Sequence, residues 1–239
     1  MENAQTHLAE LVCQMLEKNT FPVLLGGGHD IAYGHFTGIK KYVGGDKSIG
    51  IINFDAHFDL RTPDLEDSGK TGNSGTPFYQ IAQDCKKWGI PFEYLCLGIR
   101  KDANSKVLFQ TAQKLKVSFV EKLSFTMHHL EAIKTEIRRF MEKVDYLYVT
   151  IDLDGFSSAY APGTSAASPM GFDPQIVLEC LAEIIKSNKL ISLDIAEMNP
   201  DYDLDYQTAK LAASLVHFVI LRLCFDCAQH DTLSMTHSG

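Results

Sequence analysis

Apolar residues in this chain fall into two alternating patterns. Short runs at 22–25, 49–54, 92–97, 117–120, 146–151 and 190–195 are almost continuously apolar and read as strands. Between them, at 6–18, about 30–42, 77–88, 105–115, 127–143, 174–187 and 206–223, apolar residues recur three and four positions apart and read as helices. A strand that never alternates with polar residues is buried on both faces. The pattern therefore predicts an α/β fold with three layers, α/β/α, around a mainly parallel sheet. The stretches 60–76 and 155–172, rich in small and polar residues, read as loops. Asp30 is expected in the first turn of its helix, where the positive helix end favours an acid. No repeat or linker interrupts the chain, so a single domain over 1–239 is expected.

In an open parallel sheet the functional crevice lies beyond the carboxyl ends of the strands. Three predicted strands end in polar residues. The first runs into GGGHD, with His29. The second runs into FDAHFD, with Asp55, His57 and Asp59. The fifth runs into TIDLD, with Asp152 and Asp154. In an extended chain, residues two apart share a face, so each set can point into one pocket.

Four carboxylates gathered there repel one another and are costly to dehydrate. Two divalent cations would cancel the four charges, and two neutral imidazoles would complete their coordination. Oxygen and imidazole ligands without thiolate suit manganese better than structural zinc. Bridging carboxylates suit paired ions about 3.5–4 Å apart. Taken singly, an aspartate at a strand end is more often a cap or turn residue. Six such residues at three strand ends, in period-two spacing, are better explained as a two-metal site.

Composition adds exclusions. Hydrophobic residues make up 45% and charged residues 22%, as in soluble globular chains. A formal net charge of -8 argues against the basic face that nucleic acid requires. Cysteines at 13, 85, 96, 180, 224 and 227 have no framework spacing and are expected to be reduced and buried. The C-x-x-C of Cys224 and Cys227 lacks the strand-turn-helix setting of a redox motif. No run approaches the roughly 18 consecutive apolar residues of a membrane span. The start of the chain is amphipathic rather than leader-like. A cytoplasmic protein without membrane contact is expected.

GGGHD, NFDAHFDLR, IDLD followed by APGTSA, and SLDIAEMNP resemble the ureohydrolase family of arginase, agmatinase and formimidoylglutamase. The similarity covers nearly the whole chain. Three stretches, GGGHDIAYGHF, FDAHFDLRTPDLEDSGKTGNSGTPF and DIAEMNPDYDLDYQTAKLAA, are most similar to formimidoylglutamase. The resemblance implies an arginase-like fold with two Mn2+ per subunit. His29, Asp55, Asp59 and Asp152 would hold one ion, and Asp55, His57, Asp152 and Asp154 the other, with Asp55 and Asp152 bridging. It also implies that Glu197 faces an amidine. Independently, Glu197 follows the last predicted strand at the same sheet edge, where a carboxylate can pair with a planar amidinium.

Arginase-like members carry a histidine just before the Gly-x-Pro of the next loop. Here the order is Asn73-Ser74-Gly75-Thr76-Pro77, which points away from arginase. Family members also have one or two βα units ahead of the strand ending in GGGH. This chain starts at the helix before that strand, so its sheet is expected to be smaller, with an exposed edge strand.

The implied reaction is hydrolysis of the C–N bond of a small-molecule amidine, N-formimidoyl-L-glutamate, to L-glutamate and formamide, a step of histidine degradation. Asp59 and Glu197 are the candidate catalytic residues. Arg61, Asn73, Ser74, Thr76 and Arg100 are candidates for the substrate carboxylates. The alternatives are another ureohydrolase such as agmatinase or guanidinobutyrase, a two-metal phosphoesterase, and an inactive interaction module. The family's trimers and hexamers allow a homo-oligomer, which the sequence itself does not fix.

Overall fold

The computed structural model describes residues 2–45, 47–62 and 72–235. Thirteen longer elements alternate along it: α1 (Glu2–Glu17), β1 (Val23–Leu25), α2 (Ile31–Val43), β2 (Ile49–Phe54), α3 (Pro77–Trp88), β3 (Glu93–Ile99), α4 (Lys106–Lys114), β4 (Ser118–Glu121), α5 (Leu130–Met141), β5 (Tyr146–Asp152), α6 (Pro174–Ile185), β6 (Leu190–Ala196) and α7 (Gln207–Met235). The six strands form one sheet in the order β1-β6-β5-β2-β3-β4. Every pairing is parallel. The expected α/β architecture is thus present, and β2, IGIINF, is buried throughout.

Period-two alternation divides the core. Ile52, Phe54, Val149, Ile151, Leu193 and Ile195 pack with residues of α5, α6 and α7 on one side. Ile51, Tyr94, Cys96 and Tyr148 pack with residues of α1 to α4 on the other. Helix α1 lies against α2 at close range because Gly34 and Gly38 face it. A Cβ on Gly38 would stand 2.6 Å from the Ala9 carbonyl oxygen. Helix α6 starts where Asp173 accepts a hydrogen bond from the Gln175 N–H at 2.8 Å and Pro174 occupies the first turn.

Three details depart from the pattern, and the expected loop at 60–76 holds where it is described. The stretch at 127–143 begins with a single 3-10 turn, Met127–His129, before α5. Asp30 caps α2 without a side-chain hydrogen bond. Within 60–76, residues 60–62 and 72–76 are irregular or turn, and 63–71 lie outside the described residues. Helix α7 continues well past 223, and its stretch Gln207–Cys224 is long and apolar enough, by length and composition, to cross a membrane. Lys210, Ser214, His217 and Arg222 interrupt that stretch, which is why no continuous apolar run announces it. Cys13, Cys85, Cys96 and Cys180 are buried and unbridged, whereas Cys224 is exposed; the Cys227 side chain lies outside the described residues.

Strand β1 is an edge strand, and Leu25 on it is 71% exposed. From β2 the chain winds outward through β3 and β4, then returns to lay β5 and β6 on the other side of β2. The winding direction reverses between β2 and β5. Crevices at such reversals bind ligands in open α/β sheets.

Candidate metal centre

The carboxyl ends of β2 and β5 carry Asp55 and Asp152 side by side, since Phe54 and Ile151 are register partners. His29 arrives from the turn after β1. Its Nδ1 lies 3.3 Å from Asp55 Oδ2, 3.0 Å from Asp59 Oδ2 and 3.1 Å from Asp152 Oδ2. His57 Nδ1 lies 3.5 Å from Asp55 Oδ1 and 3.2 Å from Asp154 Oδ1. One group therefore comprises His29, Asp55, Asp59 and Asp152, and a second comprises Asp55, His57 and Asp154. Only Asp55 belongs to both. Asp55 and Asp152, the two expected bridges, are held alike: each turns Oδ2 towards His29, and each Oδ1 accepts a backbone N–H two residues on, from His57 and Asp154 respectively, at 2.7 Å.

These atoms fit cations rather than one another. His29 Nδ1 is buried among three carboxylate oxygens yet makes a hydrogen bond to none, and Asp154 Oδ1 is also buried without one. Buried polar atoms without partners are rare because each costs about 1–3 kcal/mol. A divalent ion in each group would use both orphaned atoms.

The charges point the same way. Burial opposes the Asp55 charge, but His29 and His57 outweigh it and hold that carboxyl below its ordinary range. Burial and the Asp55 charge lift Asp59 to about 6. Burial, then Asp154 and Asp55, push Asp152 well above the usual carboxylate range, and burial raises Asp154. On the histidines burial again opposes charge, and the carboxylates prevail: Asp154 and Asp55 push His57 up to about 12, and Asp152, Asp55 and Asp59 raise His29. Protons thus occupy places that cations would take.

Glu197 follows β6 directly with φ of 66°, and Asp59 has φ of 49°. Such left-handed backbone at non-glycine residues costs on the order of 1–3 kcal/mol, and Asn19, Lys116, Asn188, Asp205 and Tyr206 share it elsewhere in the chain. One Glu197 oxygen accepts the His29 N–H at 2.7 Å, and the Glu197 N–H donates to the Gly27 carbonyl at 2.7 Å. A Cβ on Gly28 would lie 2.8 Å from Asp30 Oδ1 and 3.4 Å from Glu197 Oε1, so this turn packs directly against the Glu197 carboxylate. The same position is 3.5 Å from the Ser74 Cβ, so the loop after β2 meets the turn after β1 beside Glu197.

The remaining site candidates divide. Ser74 is exposed near Glu197. Arg61 is exposed and crosses Gly75, whose carbonyl accepts the Arg61 N–H at 2.9 Å. Asn73 and Thr76 build the turn: Asn73 Oδ1 accepts the Gly75 N–H at 2.9 Å, and the buried Thr76 hydroxyl bonds Asn73 and Gln80. Arg100 is committed to Asp102 and to Ser168 Oγ, the latter at 2.7 Å.

Sequence reasoning missed a polar row beneath the ligands. Asp194, Thr150 and Asn53 are register partners across β6, β5 and β2. Asn53 donates to Asp55 Oδ2 at 2.9 Å, and His29 Nε2 meets Thr150 Oγ1 at 2.8 Å. The signal was present: polar residues inside apolar strands, with Asn53 and Thr150 two positions before Asp55 and Asp152.

The model of the arginase family matches residues 1–221. The formimidoylglutamase of Clostridium tetani is 42% identical over 223 residues, covering 92% of this chain and 65% of that protein. The formimidoylglutamase of Aeromonas hydrophila is 42% identical over 92% of this chain and 68% of its own length. The chain thus spans about two thirds of the length of these curated relatives. The crystal structure of formimidoylglutamase from Bacillus subtilis superposes with a TM-score of 0.79 at 26% identity, over 93% of this chain and 66% of that one. With the parallel sheet, the strand-end cluster and a match over nearly its whole length, this chain belongs to the arginase family.

Proposed function

We propose that this chain is a cytoplasmic two-manganese hydrolase that cleaves N-formimidoyl-L-glutamate to L-glutamate and formamide. The observation that carries the reading is the cluster itself, six side chains from three strand ends with buried ligand atoms lacking hydrogen-bond partners. Oxygen and imidazole donors without thiolate favour manganese over zinc. When bound, the two cations acidify water to a nucleophile near neutral pH and stabilise developing negative charge. Asp55 would be shared between the ions, with His29, Asp59 and Asp152 holding one and His57 and Asp154 the other.

The chain's own residues do the rest. Glu197, anchored through the His29 N–H, pairs with the amidinium and holds its carbon towards the cluster. Asp59 takes the proton released as water adds to that carbon and delivers it to the leaving nitrogen of glutamate as the C–N bond breaks. Phe78, edge-on to His29 at 5.2 Å, helps keep water from the deep side of the site.

Arg61 supports an acidic substrate. Among the described residues it has no acidic partner, and it lies along the same loop as Ser74, which adjoins Glu197. A substrate with an amidinium on Glu197 would extend its carboxylates towards this cation, whereas the free amine of agmatine would meet repulsion there. The test is an assay of purified protein in manganese, scoring formamide against urea from formimidoylglutamate, arginine, agmatine and guanidinobutyrate. Formamide release is expected from the first alone. Urea from any of the others reassigns the substrate. The Glu197→Gln variant should keep its metal content and lose about 10–100-fold in turnover, because an acceptor oxygen on the amidinium becomes a donor.

A further inference from the structure

We propose that Thr150 and Asp194 are positioning residues that fix the tautomer of His29 and thereby set the cation affinity of the His29 group. This rests on the two-metal reading above. The argument is a proton count. Thr150 donates its hydroxyl proton to Asp194 Oδ1 at 2.5 Å. A hydroxyl has a single proton, so the 2.8 Å contact between Thr150 Oγ1 and His29 Nε2 needs the proton on nitrogen. In a neutral imidazole, a proton on Nε2 leaves Nδ1 as the lone pair, and Nδ1 is the atom surrounded by Asp55, Asp59 and Asp152.

Asp194 keeps the hydroxyl from turning round. Its carboxylate is fully buried in the middle of β6 and receives two further donors, the Tyr148 hydroxyl from β5 and His35 Nδ1 from α2, the latter at 2.6 Å. Thr150 and Asp194 are register partners on neighbouring strands, so sheet pairing itself holds the donor against its acceptor. If the carboxylate were lost, Thr150 could donate to Nε2 instead. The ring would then carry its proton on Nδ1 and point it at the cation.

The experiment compares Mn2+ binding by the purified chain with that of its Thr150→Val, Thr150→Ser and Asp194→Asn variants. Calorimetry and Mn2+ electron paramagnetic resonance report affinities, near-ultraviolet circular dichroism confirms folding, and nitrogen-15 NMR of the histidines follows the Zn2+-loaded protein. Valine matches the shape of threonine, so packing survives while the hydrogen bond does not. Thr150→Val and Asp194→Asn should weaken one of the two ions by about 10–100-fold, as loss of a partner behind a metal-bound histidine typically does. The other ion should be unaffected, Thr150→Ser should restore affinity, and the wild-type NMR spectrum should show a protonated Nε2 on His29. Wild-type affinity in Thr150→Val, or failure of Thr150→Ser to restore it, overturns this inference while leaving the metal reading intact. A wild-type protein that binds no manganese overturns both.

Discussion

His29 and His57 belong to one cluster but have opposite surroundings. His29 is fully buried, meets Phe78 edge-on, and has its far nitrogen tied to Thr150 and through it to Asp194. The His57 side chain is 18% exposed and meets Asp55 and Asp154, with no such tie behind it among the described residues. A ligand braced from behind presents its lone pair without reordering, whereas an unbraced one is ordered by the ion itself. The comparison teaches that the two halves should bind unequally. The expectation is that the His29 half binds its ion more tightly and the His57 half exchanges its ion more readily.

The largest effect should come from removing what the halves share. Asp55→Ala should release both ions and reduce formamide production by about 10³-fold or more, since metal-derived stabilisation is worth several kcal/mol. Metal analysis of the purified variant checks this, and one tightly held ion would mean that the halves are independent.

A smaller effect concerns pH. Without cations His57, pushed up to about 12, stays protonated through neutrality. Its ion pairing with Asp154 and Asp55 stabilises the metal-free fold below its unfolded pKa of about 6.5 and is lost only as pH rises through its folded value. A cation must displace that proton, so affinity at the weaker site should rise about tenfold per pH unit for each proton displaced. Calorimetric titrations in buffers of different ionisation enthalpy count the protons. A pH-independent affinity would contradict the charge distribution described above.

The smallest effect is on stability. Asp152 has a raised folded pKa, so its charge penalises the metal-free fold increasingly as pH rises above the ordinary carboxylate value. At neutral pH, Asp152→Asn should therefore raise the Tm measured in chelator, by about 2–4 °C per kcal/mol of penalty removed, while impairing metal binding. A fall in Tm would show that the repulsion within the cluster is already relieved.

The sheet was legible because burial on both faces leaves strands such as 49–54 without polar alternation, and β2 occupies those residues. Five of the six clustered side chains were legible because period-two spacing at strand ends survives in the sequence as D-x-H-x-D and D-x-D, and His29 stood out in the GGGHD turn. Which carboxylate is shared was not, because it depends on where each oxygen points. Asp55 and Asp152 each commit one oxygen to a backbone N–H two residues on, a local contact that leaves no pattern in the chain. The left-handed backbone at Asp59 and Glu197 was equally hidden, since glycine or asparagine is the usual marker of that conformation. Arg100 looked available in sequence although Asp102 lies two residues on, and only the fold brings Ser168 to its guanidinium. Thr150 and Asp194 were overlooked inside strands otherwise read as uniformly apolar, although a polar residue there requires a partner.

The most direct test is a manganese titration of the metal-free protein beside its Asp59→Ala and Asp154→Ala variants, followed by electron paramagnetic resonance. Two ions of unequal affinity are expected, with Asp154→Ala removing only the weaker and Asp59→Ala chiefly impairing the tighter. A single ion, or two equal ions indifferent to both substitutions, would contradict a divided cluster built on Asp55.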